Sequence, residues 1–372
     1  MIVTVALTTG FQYAVSQKVL SFWGDIRVQH YEASKAAIAE ETPIEKNDTV
    51  LQVLRNNKEV KTIQAFATKN AIIKGSESIE GVLLKGVEKN YDFANINSFL
   101  KEGSWLHFPD SGYSNEINLS TYTANRLKIK VKDKIIIYFI QPDGSHRVRP
   151  MIVAGLFKTG IEDYDKLIAI ADIKMIQRLN NWKENEIGGY EIFIKDYKKL
   201  DTVSNQIAAQ VPSIWNSRTI RQVYPYIFDW LDLQDMTILI ALIIIMIVAT
   251  LNLVTCLIVL VLDRTKMIGI LKAIGAPNAD IQKIFLYHVS IITISGILLG
   301  NLLAFLLCWL QTKYGFITLP EDAYFISTAV VKLSWQQVLI VDAGTLLICF
   351  LVLIIPTLVI RKIQPSRAVQ FR

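Results

Sequence analysis

The sequence predicts an α-helical membrane protein that carries a large α+β extracytoplasmic domain, and three observations support this. Of 372 residues, 52% are hydrophobic and 19% charged, with a mean hydropathy of +0.34, too apolar for an ordinary soluble chain. Three long apolar runs crowd into residues 236–372. Charge divides the same way, because residues 1–235 hold 29 Lys/Arg against 28 Asp/Glu and residues 236–372 hold 10 against 5. The first part therefore offers no basic face for nucleic acid. The surplus positive charge sits beside apolar runs, where it reads as membrane topology.

Met1–Val15 carries no charge. It is too short to span alone, and it lacks the basic start and small-residue cleavage site of a signal peptide. Residues 1–15 are expected to be the outer end of a truncated first transmembrane helix whose beginning lies outside this sequence.

Residues 16–235 read as an extracytoplasmic α+β domain and stalk. Short alternating runs predict strands at Asp25–His30, Val60–Ala67, Asn70–Lys74, Lys134–Ile140, Arg147–Phe157, Leu167–Ala171 and Tyr190–Lys195. Helical spacing predicts helices at Asp48–Arg55, Ser120–Leu127, from Asp172, and at Lys199–Gln210. The segment Gln141-Pro142-Asp143-Gly144-Ser145 separates two alternating runs, so Ile135–Phe157 is expected to form a β-hairpin with Asp143 and Gly144 at its tip. Turn chemistry leaves two readings open, a plain surface turn and a docking element for an external partner. Tyr224, Ile227, Phe228 and Leu231 follow i, i+3, i+4, i+7 spacing before the first run. They predict a stalk helix whose stripe packs on the first helix or faces a lipid-like substrate.

Residues 236–372 read as a transmembrane domain. Met236–Leu262 and Ile284–Leu310 each run 27 residues without charge, and Val338–Ile360 runs 23 with one Asp. Such helices reach about 35–40 Å against a hydrocarbon core of about 30 Å. Residues 263–283 and the tail after 360 are rich in Lys and Arg, which places both on the cytoplasmic side and the large domain on the other. Cys256, Cys308 and Cys349 all fall inside the runs and are expected to be small apolar packing residues. Gly296, Gly300 and Ala304 form a small-residue ridge suited to helix packing. Asn252 is expected to hydrogen-bond across helices or to a carbonyl, and Asp342, four residues after its run begins, to reach the outer interface without a dedicated partner.

Between the first two runs lies Asp263-Arg264-Thr265-Lys266-Met267-Ile268-Gly269-Ile270-Leu271-Lys272-Ala273-Ile274-Gly275-Ala276-Pro277. Met267, Ile270, Leu271 and Ile274 make a helical stripe, Gly275 suits a helix end and Pro277 a helix start. A short amphipathic helix over about 264–276 is the expected result. No catalytic constellation, metal-ligand spacing or phosphate-binding G-x-x-x-x-G-K-[ST] loop occurs in the sequence.

This segment resembles the coupling-helix region of the FtsX/MacB superfamily of ABC transporter permeases, which has an Arg-rich entry and an IGILKAIGA-like run. Leu319-Pro320-Glu321-Asp322-Ala323-Tyr324-Phe325-Ile326 with Val331-Lys332-Leu333-Ser334-Trp335 resembles the outer loop of its lipoprotein-releasing, LolC/LolE-type branch, and Pro356 with the tail from Arg361 to Ala368 resembles the superfamily's usual tail. The resemblance implies a MacB-like periplasmic core and a bacterial inner-membrane location. It implies that a separate cytoplasmic ABC ATPase, which would bind ATP and Mg, grips Arg264, Lys266, Met267, Ile268, Gly269, Ile270, Leu271, Lys272, Ile274 and Gly275. It further implies a second permease subunit, identical or different, a lipoprotein cargo passing near Tyr224, Ile227, Phe228 and Leu231, and a periplasmic carrier. No cofactor is expected on this chain itself. The same superfamily includes FtsX-like transmitters that activate a cell-wall hydrolase and MacB-like exporters, which remain alternative functions.

Overall fold

Short alternating and apolar runs build a ten-stranded mixed sheet in the first part of the chain. The structure is a computed structural model that describes residues 1–31, 41–75, 78–141 and 144–352. The chain divides into two units, one of Val15–Asp229 with Leu319–Ser327, the other of Met1–Ala14, Trp230–Thr318 and Thr328–Arg372.

In chain order come α1 (Ile2–Trp23), β1 (Ile26–His30), β2 (Ile44–Glu45), α2 (Asp48–Asn56), β3 (Val60–Lys74), β4 (Ile79–Val87), β5 (Leu100–Gly103) and β6 (Glu116–Ser120). They are followed by α3 (Thr121–Leu127), β7 (Lys134–Ile140), β8 (His146–Phe157), α4 (Glu162–Leu167), β9 (Ile168–Asp172), α5 (Ile173–Leu179), β10 (Glu186–Ile187), β11 (Gly189–Ile194), α6 (Leu200–Ala208) and β12 (Trp215–Thr219). The last helices are α7 (Ile220–Val223), α8 (Pro225–Asp263), α9 (Thr265–Ala273), α10 (Asn278–Tyr314), α11 (Glu321–Tyr324) and α12 (Trp335–Val352).

The spine of the sheet is β3. Its first half pairs with β11, its second half with β4, and its last residues also with β7. Following the ladders, β3–β4–β9–β6–β8–β7–β3 closes on itself, with β11, β1 and β12 extending from β3 and β5 flanking β8. The expected break between Val60–Ala67 and Asn70–Lys74 is corrected to this one continuous strand. Polar Thr68 and Lys69 look like a turn in sequence, yet both are buried, and the Thr68 backbone and hydroxyl donate to Glu41 at 2.9 and 2.7 Å. Strand β4 escapes the alternation pattern because Gly81, Lys85 and Gly86 interrupt its apolar residues.

Lys85 is buried all the same, with its Nζ donating to Glu191 Oε2 at 2.8 Å and to the Phe22 carbonyl. Arg27 Nη2 pairs with Glu41 at 3.1 Å, its guanidinium 4.8 Å from the Trp23 ring and 4.3 Å from the Phe66 ring. A charge taken out of water is tolerated only when paired and hydrogen-bonded, and these two pairs meet that condition.

In the other unit, α8 (39 residues), α10 (37) and α12 (18) are long and apolar enough to cross a membrane. At 1.5 Å per residue, α8 and α10 reach about 55–60 Å, so each continues well past a bilayer core of about 30 Å. The first helix does not end near residue 15 as the apolar composition suggests. It runs on to Trp23, because polar Ser16, Gln17 and Lys18 are followed by Val19, Leu20, Phe22 and Trp23, all buried. The expected run beyond Val352, with the tail from Pro356, lies outside the described residues.

Candidate functional site

Helix α9 is the element the sequence singles out most sharply. Arg264 precedes it, Gly275 follows with φ +97°, and the Gly275 and Ala276 backbone N–H groups donate to Lys272 and Leu271 carbonyls at 3.1 and 3.0 Å, closing the helix end. Pro277 then starts α10. The expected amphipathic stripe is divided by the structure. Ile268 is the seated residue, buried with Val261 and Ile281 and flanked by Leu260, Leu271 and Ala276. Gly269 is buried beside it. Met267, Ile270 and Ile274 face outward, Ile274 being 79% exposed, together with exposed Lys266. One face of α9 therefore fixes it to α8 and α10, and the other offers an apolar, basic ridge.

A cavity of about 410 Å³ lies beside this helix, lined by Cys256, Val259, Leu260, Asp263, Arg264, Met267, Ile284 and His288. Sequence reasoning had no means to group His288 with Arg264, because they come together only through the α8–α10 packing.

The stalk stripe is packed inside the chain. Tyr224, Ile227, Phe228 and Leu231 are all under 5% exposed. Tyr224 sits 5.3 Å from the Tyr164 ring and 6.4 Å from the Trp23 ring, and Arg221 lies 5.5 Å from Phe228. Burial pushes the Tyr224 and Tyr164 hydroxyls well above their ordinary range. Of the two readings of the stripe, packing is the one this burial supports.

Gly296 and Gly300 have no heavy atom within 4 Å of where a Cβ would stand, while Ala304 packs with Ile2 and Val338. The expected packing ridge is thus used at Ala304 and, among the described residues, open at the two glycines. Asp342 does have a dedicated partner, contrary to expectation, because Asn301 Nδ2 donates to its carboxylate at 2.8 Å and ties α10 to α12. Gln337 Nε2 likewise donates to Thr9 Oγ1 at 2.9 Å, tying α12 to α1. Asn252 is exposed on α8 and its expected interhelical bond does not form among the described residues.

The hairpin forms as β7 and β8, with Tyr138 opposite Val148 and Ile136 opposite Pro150. Gly144 has φ +79°, and its N–H donates to the Gln141 carbonyl at 2.9 Å. Asp143 lies outside the described residues. The body of the hairpin carries more exposed apolar surface than its tip. Ile136, Ile140, Val148 and Ile152 are each at least 38% exposed on one face, while Arg147 on the other face donates to the Leu179 carbonyl at 2.8 Å and anchors the hairpin to α5. Alternation had predicted an apolar inner face; here both faces are apolar.

Residues 239–365 match the FtsX-like permease C-terminal family. The chain is 24% identical over 383 residues to the lipoprotein-releasing system transmembrane protein LolE of Haemophilus influenzae, covering 99% of this chain and 90% of that protein. It is 23% identical over 388 residues to the lipoprotein-releasing system transmembrane protein LolC of Xylella fastidiosa, covering 100% and 90%. The periplasmic region of MacB from Actinobacillus actinomycetemcomitans superposes on 54% of this chain and 91% of its own length, at 10% identity and a TM-score of 0.37, too distant a likeness to carry an argument.

Proposed function

We propose, on the premise that residues 239–365 form an FtsX-like permease domain, that this chain is the permease subunit of an ATP-driven complex that extracts lipoproteins from the bacterial inner membrane and passes them to a periplasmic carrier. The observation that carries the proposal is the extent of the two likenesses. They run through the outer domain as well as the membrane helices, over 99% and 100% of this chain, to proteins named for lipoprotein release. That extent favours release over signal transmission or export, which share the membrane domain.

In this reading a separate ATPase subunit binds ATP and Mg and grips the outward ridge of α9, Lys266, Met267, Ile270 and Ile274. Its nucleotide-driven movement reaches α8 and α10 through buried Ile268, since a rigid helix transmits displacement only where it is seated. A second permease subunit completes the complex. The long apolar face of α8, including Leu239, Ile243 and Leu251, all exposed, supplies a surface for acyl chains or for that second subunit. The exposed face of the β7–β8 hairpin is assigned to the carrier. Depleting the chain from its native host tests the proposal. Lipoproteins destined for the outer membrane should accumulate in the inner-membrane fraction, and unchanged lipoprotein sorting would sink it.

A further inference from the structure

The loop joining α10 to α12 is fastened at its base and at its tip. At the base, Gln311 is 3% exposed and grips both legs, its amide donating to the Ala329 carbonyl at 2.9 Å and its oxygen accepting from the Ile317 N–H at 2.9 Å. The tip, Leu319–Ser327, belongs to the same unit as the outer domain. There Glu321, on the single-turn helix α11, receives Lys158 Nζ at 2.5 Å and lies 3.5 Å from Lys18 Nζ. Lys18 also donates to the Phe325 carbonyl at 2.6 Å, and Phe325 holds a left-handed φ of +60° that turns the carbonyl end of α11.

Three chain segments therefore converge on one carboxylate: α1 through Lys18, the end of β8 through Lys158, and the loop itself. The backbone is shaped for the meeting. Gly160 has φ +73°, and a Cβ there would lie 2.2 Å from Glu321 Oε1 and 2.6 Å from Lys18 Nζ, so a side chain at this position would displace the ion cluster. Glu321 and Lys18 are each about one-quarter exposed, which shields the pair from solvent more than an ordinary surface bridge. Burial pushes the Glu321 carboxyl up, but Lys158 and Lys18 outweigh it and hold the group below its usual range.

We infer that this loop is a strap through which α10 and α12 move together with the outer domain, and that Glu321 is the positioning residue that makes the strap taut. The inference rests on the proposed release function. A loop held only at its base would let the helices move without carrying the outer domain. Held also at its tip by a two-lysine clamp, it transmits displacement in both directions, which release of cargo on the far side of the membrane requires of an ATPase on the near side.

The test uses the full complex reconstituted with its ATPase and a synthetic tripalmitoylated lipopeptide, with hydrogen exchange of residues 319–327 as a readout that needs no transport. The strap predicts that Glu321→Gln speeds exchange of this segment at least tenfold and lowers ATP-driven release at least tenfold while ATP hydrolysis stays within twofold. The exchanged pair K158E/E321K should restore both to within threefold. Unchanged exchange in Glu321→Gln overturns the strap. Faster exchange with normal release, or no recovery in the exchanged pair, overturns its coupling role. Absence of release by the unaltered complex overturns the proposed function and the coupling role with it, while the exchange measurement still decides whether the strap exists.

Discussion

Asp25 is a carboxylate the fold holds at a cost. Its Oδ2 accepts the Ile194 N–H at 2.6 Å, yet burial outweighs that bond and raises its pKa from 3.8 to about 6. A carboxyl whose folded pKa is raised binds its proton more tightly when folded, so stability is fullest below about pH 4 and falls as pH rises through about 6. Asp25→Asn keeps an oxygen to accept from Ile194 and removes the ionisation. It should raise the thermal midpoint at pH 7–8, by at most about 3 kcal/mol of stability, and make no difference near pH 4. A melting series across pH checks both limits. Lys85 and Glu191 behave oppositely, because each is the other's charge partner in a buried site, where the Phe22 carbonyl accepts a further bond from Lys85. Lys85→Met should cost about 3–5 kcal/mol in denaturant unfolding, whereas Lys85→Met with Glu191→Leu should recover most of it. Neither effect was legible in the sequence. Lys85 reads there as a polar interruption, and nothing local announces a partner more than a hundred positions away.

At the scale of elements, the division of α9 into a seated and an open face makes a sharper prediction than its amphipathic pattern alone. Ile270→Asp changes only the exposed ridge, so the chain should reach the membrane at normal levels while ATP-driven release falls about tenfold or more. Ile268→Asp places a charge in the cluster with Val261 and Ile281 and should lower the amount of folded chain, read by size-exclusion recovery in detergent. The Asn301–Asp342 bond predicts a small effect, since interhelical hydrogen bonds in membranes average about 0.6 kcal/mol. Asp342→Asn should leave both folding and release near normal. The ends of α9, the start of α10 and strands β1, β3, β7, β8, β9 and β11 were legible because glycine, proline and alternating or apolar runs mark them, whereas β2, β4, β5, β6, β10 and β12 were not. The second apolar face of the hairpin was not read from the sequence, nor were the two fastenings of the α10–α12 loop. These depend on which side of the sheet stays uncovered and on which distant lysines meet Glu321.

For the whole molecule, composition alone separated the outer part from the apolar part, because charge and hydropathy change together near residue 236. What composition could not supply is how a movement of α9 would be felt in the outer domain; on the proposed reading it travels along α8, which has residues in both units, and through the inferred strap. On the proposed reading, the chain uses ATP hydrolysed on a separate subunit to release acylated cargo. The central claim is tested most directly by reconstituting the chain with its ATPase and second permease subunit in vesicles loaded with a triacylated lipoprotein, then adding ATP and a soluble carrier. Appearance of the lipoprotein in the carrier fraction, dependent on ATP and lost with Ile270→Asp, is the predicted result. Tight ATPase association with the lipoprotein left in the vesicles would contradict it.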